Sequence, residues 1–192
     1  MGAPSIDVGV TGSMGSHYLD GYTYVNMGNP ANATGLITQM TVYSSGTCAN
    51  TEIAIFSAVG NSLTTRSYVT VGALAAGVNG IVGLNLEIRT GDYIGIYYTV
   101  VTGTGVEAEE SGGSGLWYSA GDQIPCSGRT FDVLDADAKM SVSAAGYQLG
   151  YINIGDSWKV IQNIYINVGG DWKQVAFGSG VNVGDAWQSI FF

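Results

Sequence analysis

The sequence predicts an all-β protein: a jelly-roll-like β-sandwich followed by a small array of three short β-hairpin repeats. One observation is compositional, since 30 Gly and 12 Tyr stand against 3 Pro in 192 residues. Aromatic and β-branched side chains suit a pleated, half-buried surface. A second is the hydrophobic period of two, and a third is a short motif that occurs three times near the C-terminal end.

Strand signals begin with YTYV at 22–25 and continue through LITQMTVY at 36–43, EIAIFSAV at 52–59 and SYVTVGAL at 67–74. Turn clusters GNPANATG at 28–35 and SSGT at 44–47 separate them. The clearest alternation lies at 81–100, where Val82, Leu84, Leu86 and Ile88 alternate with Gly83, Asn85, Glu87 and Arg89. After TGD, the residues Ile94, Ile96, Tyr98 and Val100 resume it. This pattern predicts a hairpin with one buried face, turned at Gly91 and Asp92, residue types that tolerate positive φ. Strands of this length with no helical period between them predict a sandwich or jelly roll. Beyond Val100 the chain loosens into TGTGVEAEESGGSG at 102–115, then gives the apolar run LWYSA at 116–120 and a last strand near KMSVSA at 139–144.

Around AGYQLG at 145–150 the character changes, which divides the chain into a sandwich domain, 1–146, and a repeat domain, 147–192. The repeats are YINIGDSW at 151–158, YINVGGDW at 165–172 and GVNVGDAW at 180–187, so that Trp158, Trp172 and Trp187 are 14 and 15 residues apart. Each unit predicts a strand, a glycine turn and a second strand opened by Trp. A lone hairpin is marginal in water, and roughly 45 residues of hairpins have little core to share. The repeat is therefore expected to be an assembly element in which Trp158, Trp172, Trp187, Tyr151 and Tyr165 pack between copies of the chain. The alternative is a meander folded back on the sandwich.

Charge excludes one class of partner. With 15 acidic residues against 6 basic ones and a net charge of -9, no surface can neutralise a run of phosphates, and nucleic acid is not expected. Only 11% of residues are charged, about half the usual share. The N-terminal residues lack a basic region followed by an apolar one, so no signal peptide is expected. The segment VGALAAGVNGIVGLNL at 71–86 contains four Gly and two Asn. It falls short of the roughly 18 continuous apolar residues that predict a span, so membrane insertion is not expected.

Candidate chemistry is sparse. His17 is the single histidine, so any Ser-His-Asp or Cys-His arrangement must pass through it, and its turn-like setting makes a surface histidine the ordinary reading. Glu107, Glu109 and Glu110, with Asp92 and Asp122 as potential neighbours, suggest three readings: a solvated loop, hard oxygen ligands for calcium, or a glycosidase carboxylate pair. Calcium is the single cofactor these residues could hold, and none is required. Cys48 and Cys126 are too few for a disulfide framework or a zinc site; two separate thiols and one bridge both remain open. Trp117 and Tyr118 either fill the core or present an aromatic face that stacks on a sugar ring.

The segments NPANATGLIT, EIAIFSAVGNSLTTRSYVTVGALAAGVNGIVGLNLEIRTGDYIGIYY and ESGGSGLWYSAGDQIPC resemble a β-sandwich module of tailed-bacteriophage structural proteins, over about residues 22–146. The stretch YINVGGDWKQV resembles the short Gly-Trp-Lys repeats of phage tail fibre and baseplate proteins. The resemblance implies a non-enzymatic virion protein, a capsid decoration or a tail fibre or baseplate component. Its expected partners are itself, as a homo-oligomer with a trimer favoured, and other virion proteins. A virion location also reconciles an extracellular composition with the expected lack of a signal peptide. The alternative is a carbohydrate-binding or receptor-binding module that holds a host-surface glycan at Trp117 and Tyr118.

Overall fold

A computed structural model describes residues 5–148 and, further on, 151–154, 157–160, 164–168, 170–175, 180–183 and 186–189. Every regular element among the described residues is a strand. The chain divides into two compact units, Ile6–Gly146 and a second made of Met1–Ser5 with Tyr147–Phe192.

The first unit opens with β1 (Ser5–Val10), β2 (Ser16–His17), β3 (Tyr22–Asn26) and β4 (Gly35–Ser44). Four long strands follow: β5 (Thr47–Val59), β6 (Ser62–Leu74), β7 (Gly77–Ile88) and β8 (Tyr93–Thr102). Short strands β9 (Glu107–Glu109), β10 (Leu116–Ala120), β11 (Arg129–Thr130), β12 (Asp132–Asp135) and β13 (Lys139–Met140) lead to β14 (Val142–Gln148).

One sheet has the order β1-β14-β4-β7, a second β11-β6-β5-β8-β3-β10-β12, and a small third β13-β9-β2. Leaving aside the short strands, β5 lies beside β6, β4 beside β7, β3 beside β8 and β1 beside β14. These nested pairs are the winding of a jelly roll, and β9 to β13 form an insertion between its last two strands.

The winding follows from which faces are apolar. Between the two large sheets lie Ile6, Val8, Ile37, Met40 and Val42 from one side and Ile53, Ile55, Ile94, Ile96 and Tyr98 from the other. Successive strand residues point to opposite faces, yet Ile53, Ala54, Ile55 and Phe56 are all fully buried. Ala54 and Phe56 belong to a second core with Val25, Leu63, Trp117, Ile124 and Phe131, on the outer face of the seven-stranded sheet. The insertion supplies Trp117, Ile124 and Phe131, and so covers what the jelly roll alone would expose. The Phe56 and Phe131 rings meet edge to face with centroids 6.1 Å apart, a favoured aromatic geometry. Where β8 passes β3 and β5, a Cβ on Gly95 would lie 2.6 Å from the Tyr24 carbonyl oxygen and 2.8 Å from Phe56 Cε2. Only glycine fits there.

The predicted 81–100 hairpin needs correction. The turn exists, with Gly91 at φ 86° and Asp92 N–H donating to the Arg89 carbonyl at 2.9 Å. Its arms, however, belong to different sheets: β7 pairs with β4, and β8 pairs with β5 and β3. Both arms face the same core from opposite sides, and alternation reports a buried face without reporting the sheet that carries it.

The second unit holds β15 (Tyr151–Ile154), β16 (Ser157–Val160), β17 (Ile164–Val168), β18 (Asp171–Val175), β19 (Gly180–Val183) and β20 (Ala186–Ser189). They pair as three separate two-stranded antiparallel sheets.

Replacing Phe131 by Ala is expected to cost about 3–5 kcal/mol by transfer and cavity terms, seen as a lower urea midpoint. Val133→Ala, at a position 45% exposed, is expected to stay within about 0.5 kcal/mol of wild type.

Candidate functional site

The insertion brings the predicted aromatic pair to β10, where the two residues part company. Trp117 pairs with Val25 and Tyr118 with Tyr24, so they face opposite sides of the sheet. Trp117 is 5% exposed. Its indole N–H donates to Asn61 Oδ1 at 3.2 Å, and the Tyr93 ring stands perpendicular to it at 5.0 Å. Trp117 is therefore a core residue with its one polar atom satisfied, which corrects its candidacy as an exposed glycan platform.

Tyr118 is half-buried and ends a row of tyrosines. Its ring lies 6.0 Å from Tyr22, Tyr22 lies 6.1 Å from Tyr24, and Tyr24 stacks on Tyr18 at 5.7 Å. The row occupies the core-facing side of the seven-stranded sheet at its β3–β10 end, where four opposing strands cannot cover seven. The Tyr24 hydroxyl donates to the Leu19 carbonyl at 2.8 Å. Burial, then the neighbouring phenols, pushes the Tyr24 pKa well above the tyrosine range. Burial also raises that of Tyr18, whose hydroxyl has no hydrogen-bond partner among the described residues. Tyr24 is buried and the other three are half-buried; the neighbouring Tyr22 and Tyr118 rings have flat faces that suit a sugar ring or an aromatic side chain.

The acidic candidates are dispersed and engaged. Glu107 accepts from the Ser13 hydroxyl at 2.9 Å and from Met14 N–H at 2.6 Å, which fastens the loop after β1. Glu109 pairs with Lys139 Nζ at 2.9 Å, and Glu110 is exposed. Asp122 accepts from Ile124 N–H at 2.9 Å. Asp92, 3% exposed, accepts from Arg89 N–H at 2.7 Å and from both Nε and Nη2 of Arg66. Among the described residues no three His, Cys, Asp or Glu side chains gather as metal ligands. Of the three residues weighed as calcium ligands or a glycosidase pair, Glu107 and Glu109 are thus engaged in local contacts and Glu110 is exposed. His17 is exposed on β2, in register with Glu107.

Both cysteines are free thiols, so the bridge between Cys48 and Cys126 is not formed. Cys48 sits in the inter-sheet core and Cys126 against the second core, on opposite faces of the same sheet. Burial raises the Cys48 thiol pKa, partly offset by the Ser44 hydroxyl 3.4 Å from its sulfur. Cys126 is half-buried, its thiol 3.5 Å from the Leu63 carbonyl.

One grouping has no precursor in the sequence reading. A groove of about 400 Å³ on the outer face of the four-stranded sheet is lined in part by Asp7, Gln39, Thr41 and Ser143. These residues come from β1, β4 and β14, and only the strand order brings them together.

In the second unit the three tryptophans hold one register position: Trp158 opposite Asn153, Trp172 opposite Asn167 and Trp187 opposite Asn182. Tyr151 pairs with Val160 and Tyr165 with Gln174. The expected packing of these aromatic side chains between copies lies outside the described residues.

No protein-family model, curated protein or solved structure matches the chain. Among the described residues no helix is long and apolar enough to cross a membrane.

Two thiols are expected to titrate with Ellman's reagent in denaturant without any reductant. In the native protein Cys126 is expected to react first and Cys48 only on unfolding, because the thiolate is the reactive form and burial disfavours it. A single fast native thiol at Cys48, checked with Cys48→Ser and Cys126→Ser, contradicts this assignment.

Proposed function

We propose that the chain is a non-enzymatic structural protein of a tailed-bacteriophage virion, a capsid decoration or a tail fibre or baseplate component. It acts by self-association and by attachment to other virion proteins. The observation that carries this reading is the threefold repetition of one backbone register, Trp opposite Asn, in three hairpins that share no sheet among the described residues. A two-stranded hairpin in water is marginal, and the three units repeat closely similar sequence at intervals of 14 and 15 residues. Symmetric association lets each unit meet its own copy in another chain, and a trimer is favoured. The resemblance of both segments of the chain to phage structural proteins supports the same reading.

A second reading, a carbohydrate-binding receptor module, draws support from the neighbouring Tyr22 and Tyr118 rings, 6.0 Å apart.

The full chain is expected to be a trimer or larger by light scattering, and the Trp158→Ala, Trp172→Ala, Trp187→Ala triple variant is expected to fall to a lower mass with its sandwich still folded. An unchanged mass contradicts the repeat as an assembly element. Saturable binding to a glycan array that is lost in Tyr118→Ala favours the receptor reading.

A further inference from the structure

We infer that the open edge formed by β7, with β6 beside it, is a second self-association surface on which another copy of this chain pairs edge to edge. The inference rests on the assembly reading above and adds a surface on the sandwich, separate from the hairpins.

Among the described residues, strand β7 ends the four-stranded sheet, where β4 is its single neighbour. From Ser44↔Gly77 to Gln39↔Val82 that ladder runs without a break, so its far side presents a straight row of backbone N–H and C=O groups. Strand β6 is half open in the same way. Strand β11 reaches only Ser62 and Leu63, Thr65 N–H donates to the Cys126 carbonyl, and 66–74 have no further ladder partner among the described residues. Edges of this kind are normally blunted by Lys, Pro or inward-pointing charge. The twenty residues 67–86 contain no charged residue and no proline.

The surface is also apolar and firmly held. Val82 is 75% exposed, Val78 63% and Tyr68 43%. Val69 and Val71 of β6, with Ile81, Leu84 and Leu86 of β7, cover the inter-sheet core only partly. Asn79 locks the β6–β7 turn, accepting from Ala75 N–H at 3.0 Å and donating to the Ala75 and Gly77 carbonyls at 2.8 and 3.1 Å. Little ordering is left to be done when a partner arrives.

Self-complementarity and neutrality point to a second copy as the occupant. The chain carries a net charge of -9, and like charges brought together at an interface are costly. Two copies can meet without that cost along 67–86. Antiparallel pairing of a strand with itself is a two-fold contact, in which one patch serves as both halves of the interface. Centred on Gly80, it sets Val78 of each copy opposite Val82 of the other.

The test uses the full chain in two charge-reversed forms, Val78→Lys with Val82→Lys and Val78→Glu with Val82→Glu. Each alone is expected to lower the assembly mass about twofold, the loss of one two-fold contact. An equimolar mixture of the two is expected to restore it. Both positions are largely exposed, so the sandwich is expected to melt as in wild type. Hydrogen exchange provides a measurement independent of mass: amides in 78–82 are expected to exchange more slowly in the wild type than in either variant. Unchanged mass in both variants, or equal exchange in all three proteins, overturns the inference and leaves the edge to a different protein or to none. The hairpin reading fails separately: it falls if the tryptophan variant keeps its mass while the edge variants lose theirs. A wild-type monomer overturns both.

Discussion

The fold depends on a strand that is apolar on both faces. Ile53, Ala54, Ile55 and Phe56 leave no side of β5 that can meet water, and each is fully buried. One face is closed by the opposing four-stranded sheet, which is the ordinary solution for a sandwich. The other face needs a cover of its own, and the chain provides it between β8 and β14 with Trp117, Ile124 and Phe131. Jelly-roll winding and insertion are thus two responses to one stretch of sequence. Burial on this scale, at about 25 cal/mol per Å² of apolar area, is the dominant favourable term in folding.

Polar contacts then fix the layers against one another. The Arg66 guanidinium grips the Asp92 carboxylate with two nitrogens, with side chains 18% and 5% exposed. That pair fastens β6 to the turn between β7 and β8, where the chain crosses from one sheet to the other. The hydrogen bonding to the Asp92 carboxylate raises the Arg66 pKa beyond its already high value, and a buried carboxylate of this kind is costly to leave without its partner. Asn26, 2% exposed, plays the corresponding part at the other end. Its side chain accepts from Met140 N–H and donates to the Met140 carbonyl, both at 2.9 Å. It thereby ties β3 to the chain entering β14, with its amide satisfied as a buried amide must be.

Much of this was legible in the sequence. Alternation located the long strands, because a half-buried strand records its buried face at every second residue; that the run IAIF is buried on both faces came from the structure. The destination of each strand was not legible. The 81–100 segment has the pattern of a hairpin whether its arms stay in one sheet or part between two. Trp117 stayed open between core and exposed face for a related reason, since its glycine-rich flanks suggest a loop and only the register with Val25 puts it beneath the insertion. The Arg66–Asp92 pair spans 26 residues and leaves no local signature. The outer groove at Asp7, Gln39, Thr41 and Ser143 is in the same position, created by strand order alone.

The two units differ in what stabilises them. The sandwich has two cores of its own, whereas among the described residues each hairpin pairs only its own two strands. The first is expected to be stable by itself and the second through association. Residue-resolved hydrogen exchange across a dilution series tests it most directly. Amides of 53–56 and 94–96 are expected to stay protected at every concentration, while those of 151–154, 164–168 and 180–183 lose protection once the assembly dissociates. Hairpin amides as well protected in the monomer as in the assembly contradict that expectation.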